Sequence, residues 1–175
     1  MITEQAKTLE ALQIAIQMEI DGKKYYQLMS ESKGPEMGIR LFQQLAVEED
    51  YHRQKFEEIY KTFEDKKSWP AVAFETDQGK RLKNIFSEAI DVQRKGKARI
   101  SQLKAVQKAM EMENKTRDFY KDRAEKAIFE AEKKYYELVA GEESKHHAVL
   151  LDYYEYIQNP VDWYTLKEHH SLDGG

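Results

Sequence analysis

Apolar residues recur every three or four positions through most of the chain. From Thr3 to about Ser32 the recurring positions are Leu9, Leu12, Ile16, Ile20 and Leu28, with good helix formers between them, which predicts a first helix. Ser32-Lys33-Gly34-Pro35 predicts a stop and a restart, because glycine suits a helix C-terminus and proline the first turn of the next helix. A second helix is expected from about Glu36 to Glu64 through Ile39, Phe42, Leu45, Phe56, Ile59 and Phe63. The period is lost from Asp65 to Gln78, around Pro70, so this stretch reads as a connection, with a shorter helix from Lys80 to roughly Lys95 riding on the crossover. Two more long helices are expected, about Ala98 to Lys126 and Glu130 to Gln158, the last ended by Asn159-Pro160. No stretch alternates apolar and polar residues, so no sheet is expected. The expectation is one helical bundle over residues 1–158 and a polar tail over 159–175 that carries Trp163, Tyr164, His169 and His170.

Composition narrows the partners. The 175 residues are 41% hydrophobic with only 3 prolines and 8 glycines, enough to bury a single core. Both charge signs are mixed, the net charge is -4, and no basic run follows a phosphate backbone, which argues against nucleic acid. No apolar run approaches the roughly 20 residues that span a bilayer, and MITEQAKTLEALQ lacks the pattern of a signal peptide, so a cytoplasmic protein without membrane contact is expected. The absence of cysteine removes disulfides, thiol catalysis and cysteine-ligated metals. Any metal must bind through nitrogen and oxygen.

An internal repeat carries the chemistry. AIQMEIDGKKYY, Ala15 to Tyr26, aligns with AMEMENKTRDFY, Ala109 to Tyr120, at an offset of 94. The same offset carries Glu49 onto Glu143 and His52 onto His146, so each half holds a lone glutamate, Glu19 or Glu113, followed 30 residues later by Glu-x-x-His. In one continuous helix those glutamates would lie about 45 Å apart, so the chain must fold back midway. In the first half the midpoint is Gly34-Pro35; in the second it is Ile128, where no glycine or proline marks a turn.

Folded so, each hairpin brings a glutamate from one helix and a glutamate and histidine from the other to one level, because positions i and i+3 share a helix face. Two hairpins about a two-fold axis then gather four carboxylates and two imidazoles. Four buried carboxylates without partners would repel or take up protons, whereas two divalent cations balance them. Carboxylate plus imidazole suits iron, manganese or zinc, and the set is that of di-iron and di-manganese carboxylate bundles. Tyr26 and Tyr120 lie seven residues after the lone glutamates, on the same face; their hydroxyls either hydrogen-bond the ligand carboxylates from behind or simply pack in the core. Glu48 and Glu142 repeat too, but point about 100° away from their neighbours.

On QMEIDGKKYY, VEEDYH, EMENKTRDFY and GEESKH the chain resembles the rubrerythrin-like branch of the ferritin-like superfamily. The resemblance implies an all-α four-helix bundle of two repeated hairpins with a long crossover. It implies a di-iron centre, with manganese or zinc as substitutes, in which Glu49 and Glu143 bridge the metals. Glu19 with His52 then completes one metal and Glu113 with His146 the other. Rubrerythrins proper carry a further glutamate where this chain has Thr116 beside Arg117, and a four-cysteine rubredoxin domain where this chain has no cysteine. Electrons would therefore come from a separate donor protein such as a rubredoxin.

The function expected is a redox enzyme that reduces hydrogen peroxide or dioxygen. The alternatives are ferritin-type iron oxidation and storage, or a metal-binding bundle without catalysis. Equivalent hairpins also make a homodimer, with or without exchanged hairpins, an expected assembly.

Overall fold

The computed structural model describes residues 3–76, 80–82, 85 and 97–163, the last stretch with side chains from residue 101 onward. Four long helices account for most of them: α1 (Glu4–Ser30), α2 (Glu36–Lys66), α3 (Lys97–Glu125) and α4 (Glu130–Gln158). Among the described residues there is no strand. The all-α bundle expected from periodicity is the fold. Of the shorter crossover helix, residues 80–82 and 85 are helical, and the remainder of that expectation lies outside the described residues, as do Tyr164, His169 and His170.

Each end of each hairpin has a local cause. The Thr3 hydroxyl accepts from the Ala6 amide at 3.2 Å and starts α1. Pro35 precedes α2, and its carbonyl accepts from Ile39 at 3.1 Å. Lys67 takes a left-handed φ of 54°, which ends α2 and turns the chain back so that Trp69 meets Phe63, ring centroids 6.3 Å apart. The turn between α3 and α4, which has no glycine or proline, is closed by Glu132. Its buried carboxylate reaches back to accept from the Ile128 amide at 3.0 Å and from the Phe129 amide at 3.5 Å, the second being the reciprocal half of a capping box.

Within each hairpin the two helices pack along their length, α1 on α2 and α3 on α4; the hairpins then face each other through α1 against α3 and α2 against α4. The buried stripe of α1 runs Thr8, Ala11 with Leu12, Ala15, Glu19, Gly22, Tyr26, recurring every three or four residues. Leu28, expected on that stripe, falls two residues past Tyr26 on the opposite side and is 61% exposed. Two apolar layers result. One holds Tyr26, Leu41, Leu45, Val106, Leu150 and Tyr153; the other holds Leu12, Phe56, Ile59, Tyr120, Tyr136 and Val139. Each fully buried side chain of this size contributes about 1.5–3 kcal/mol. The layers stabilise the fold, and the polar side chains between them subtract from it.

Candidate metal centre

Glu19 on α1, Glu49 and His52 on α2, Glu113 on α3, and Glu143 and His146 on α4 all lie on the inward stripes, with exposures between 0% and 3%. They form two quartets of donor atoms: Glu19, Glu49, His52 and Glu143 in one, Glu49, Glu113, Glu143 and His146 in the other, with the atoms of each quartet within 4.8 Å of one another. Glu49 and Glu143 belong to both. His52 Nδ1 lies 3.1 Å from Glu143 Oε1 and 3.6 Å from Glu19 Oε2. His146 Nδ1 mirrors it, 3.2 Å from Glu49 Oε1 and 3.6 Å from Glu113 Oε2. Two donors bonded to one ion at about 2.0–2.2 Å and set 90–110° apart are themselves about 2.8–3.6 Å apart, so these spacings fit a shared cation. The imidazoles stack across the axis at 5.6 Å between centroids.

One atom from each of the six side chains is buried without a hydrogen-bond partner: Glu19 Oε2, Glu49 Oε1, His52 Nδ1, Glu113 Oε2, Glu143 Oε1 and His146 Nδ1. Those are the atoms that face one another. The outer oxygens are occupied instead. Tyr120 Oη donates to Glu19 Oε1 and Tyr26 Oη to Glu113 Oε1, so each hairpin's tyrosine holds the other hairpin's glutamate. Burial and the adjacent carboxylates push both phenols well up, which keeps them protonated and donating.

The cluster's own charges are unbalanced. Burial, joined by the negative charge of the other carboxylates, holds Glu49 and Glu143 well above the usual carboxylate range. For Glu19 and Glu113 burial pushes the same way, but the facing imidazoles outweigh it and both lie below the ordinary value. Burial would lower both histidines, yet the surrounding carboxylates raise His52 and raise His146 well above the ordinary value. Without cations the site therefore holds protons where donors would be needed. Cations and protons compete for the same atoms.

The two halves differ behind the histidines. His146 Nε2 meets Glu48 Oε2 at 2.9 Å. An ionised carboxylate only accepts, so a singly protonated ring carries its proton on Nε2 and turns the Nδ1 lone pair to the cluster. Glu142, the repeat partner of Glu48, is drawn away from His52: its Oε1 accepts from the Thr76 hydroxyl and from Lys145 Nζ at 2.6 Å. His52 is covered instead by Phe74, ring centroids 5.6 Å apart. A cavity of about 340 Å³ opens there, lined by Glu48, Tyr51, His52, Phe74, Thr76 and Glu142 among others. The offset of 94 shows Glu48 in the sequence, but Phe74 and Thr76 sit in the aperiodic crossover, where no pattern marks them.

No fifth carboxylate joins the two quartets among the described residues. Thr116 turns its hydroxyl onto its own helix, donating to Met112 O at 3.1 Å, and Arg117 pairs with Asp118 at 2.9 Å. His147 is half-buried and belongs to neither quartet. One turn after Glu19, Gly22 makes room for the cluster: a Cβ there would stand 2.8 Å from Glu49 Oε2. The obstructed atom ends a flexible side chain, so Gly22→Ala should leave thermal stability within about 1 kcal/mol of the parent. Metal affinity should fall about tenfold or more as Glu49 is displaced. Paired melting curves and metal titrations separate the two effects; equal affinity in the variant would mean Glu49 does not act at that position.

The sequence profile of the rubrerythrin family matches residues 10–146, which takes in both hairpins as far as His146. No curated protein and no solved structure matches the chain.

Proposed function

Because the chain belongs to the rubrerythrin family, we propose that its central cluster holds two iron ions and that the protein reduces hydrogen peroxide with electrons from a separate one-electron carrier. The observation that supports this most is the set of six facing, unpartnered donor atoms, one per side chain. Buried polar atoms are otherwise nearly always satisfied, and an unpaired buried acceptor costs about 1–3 kcal/mol. Six at one point call for cations. Glu19, Glu49, His52 and Glu143 would hold one ion and Glu49, Glu113, Glu143 and His146 the other, with Glu49 and Glu143 shared. When bound, two ferrous ions supply the two electrons that, with two protons, convert one peroxide to two waters.

The chain's own residues prepare that chemistry. Tyr26 and Tyr120 fix the outer oxygens of Glu113 and Glu19, so only the inner oxygens are free to ligate. Glu48 fixes the tautomer of His146. The apolar layers above and below exclude bulk water from the cluster, which leaves the cavity beside His52 as the approach for a molecule as small as peroxide. Glu142 and Thr76 line that cavity, where the Glu142 carboxylate accepts from Thr76 and from Lys145.

Anaerobic loading with ferrous iron followed by stopped-flow mixing tests the reading. Two irons per chain, oxidised much faster by peroxide than by dioxygen, is the expected result. Rapid oxygen consumption with mineral growth would select iron storage instead, and less than half a metal per chain would leave a bundle without redox chemistry.

A further inference from the structure

Resting on that reading, we infer that Trp69 and Tyr120 are the two stations of an electron relay joining the cluster to the protein surface at the end of α2. Both tryptophans of the chain stand at the ends of aromatic lines that begin at the cluster. The shorter line has two ring contacts: Tyr120 to Tyr136, centroids 5.9 Å apart, and Tyr136 to Trp69 at 5.7 Å. Phe56 stacks on Tyr120 at 5.3 Å and closes the same group. Trp69 is 8% exposed and follows three exposed residues, Lys66, Lys67 and Ser68. The longer line runs from Tyr26 through Phe42, Tyr153 and Tyr156 to Trp163, with contacts of 6.0, 6.3, 6.4 and 5.6 Å. It needs four contacts, and its first step crosses Phe42, whose ring is far harder to oxidise than a phenol or an indole.

Aromatic clusters are ordinary core packing, so proximity alone decides nothing. Proton acceptors decide. A tyrosine gives up an electron readily only if its phenolic proton has somewhere to go. The Tyr135 hydroxyl has no hydrogen-bond partner, and beside Tyr136 stand the Arg123 guanidinium, which donates and cannot accept a proton, and Glu132, whose carboxyl already accepts from the Ile128 and Phe129 amides. These rings supply contact without holding a charge. Tyr120, by contrast, already donates to Glu19 at the cluster.

The transfers then balance. A peroxide that receives only one electron from the cluster takes its second from Tyr120, whose phenolic proton moves along the existing hydrogen bond to Glu19, while two protons from water complete the two waters formed. Trp69 passes one electron through Tyr136 to the Tyr120 ring, the proton returns from Glu19, and the indole proton leaves to water. A one-electron reductant at the surface, a reduced iron–sulfur or flavin carrier, restores Trp69 with one electron, and water returns the proton. One such passage accompanies each peroxide reduced in this way.

Because the chain has no cysteine, Ser68→Cys creates a unique thiol beside Trp69. A ruthenium polypyridyl photo-oxidant attached there is flashed in the full-length protein, metal-free and loaded with zinc, which has no redox chemistry. The expected result is a tryptophanyl absorption that gives way to a tyrosyl absorption. Trp69→Phe should remove the tyrosyl signal. Tyr120→Phe should leave the tryptophanyl signal standing, and Tyr135→Phe should change neither; circular dichroism checks that each ring-conserving variant is folded. A tyrosyl signal that survives Trp69→Phe, an unchanged tryptophanyl lifetime in Tyr120→Phe, or an equal effect from Tyr135→Phe each overturns the relay. None of these readouts needs iron, so the relay can fail while the di-iron reading stands, and the reverse.

Discussion

Glu49→Gln should empty both metal positions at once, while Glu113→Gln should spare one. Glu49 and Glu143 are the only side chains present in both donor quartets among the described residues, so neutralising either one weakens both positions. The loss should exceed the roughly 10–100-fold that removal of an outer hydrogen-bond partner costs a metal site. Burial holds the Glu49 carboxyl well above the usual carboxylate range, so the metal-free parent folds only by taking up a proton there; an amide carries no such cost, and the metal-free variant should be more stable than the metal-free parent. Isothermal titration with ferrous or zinc ions gives the stoichiometry, and denaturant midpoints give the stability. Two ions per chain at parental affinity in Glu49→Gln would remove this residue from the site, and lower stability of the metal-free variant would mean that its carboxylate is satisfied without a cation.

Stripping metal from the parent should lower its melting temperature by about 10–20 °C. Free metal at about 100 times the dissociation constant stabilises by about 2.7 kcal/mol per site, roughly 5 kcal/mol for two, and each kcal/mol moves the midpoint of a chain this long by about 2–4 °C. The shift should widen as pH rises. In the metal-free protein Glu49, Glu143, His52 and His146 have raised pKa values, so the stability linked to their protonation is fully present below their unfolded values and disappears as pH climbs through the folded ones. The metal-bound form gains over the same range, because protons stop competing for its ligands. Melting curves with and without chelator at pH 6 and pH 8 check the sign; a larger gap at pH 6 would contradict it.

Much of the architecture was legible because period and punctuation agree. The helix expected from about Glu36 to Glu64 runs Glu36–Lys66, and the one expected from Glu130 to Gln158 has those ends. The turn before α4 was legible only through the repeat; its chemistry is a glutamate, Glu132, which looks from the sequence like any other in a charged helix. Asn159-Pro160 does end α4, but residues 160–163 are helical again, because proline tolerates the first position of a helix and Asn159 O accepts from the Trp163 amide at 3.1 Å. The six acidic and imidazole residues stood out by spacing, since the offset of 94 places the same side chains on the same helix face twice.

The sequence by itself determined four helices, their pairing into two like hairpins, and the six acidic and imidazole residues that the hairpins turn inward, because these follow from periods within one helix and repeat across the halves. Tertiary structure alone decided which tyrosine holds which glutamate, that Glu48 supports His146 while Glu142 leaves His52 to Phe74, and that Trp69 folds back onto Tyr136. Such contacts join positions 22 to 101 residues apart on separate elements. Their occurrence depends on how far and at what angle the hairpins approach, which no local pattern encodes.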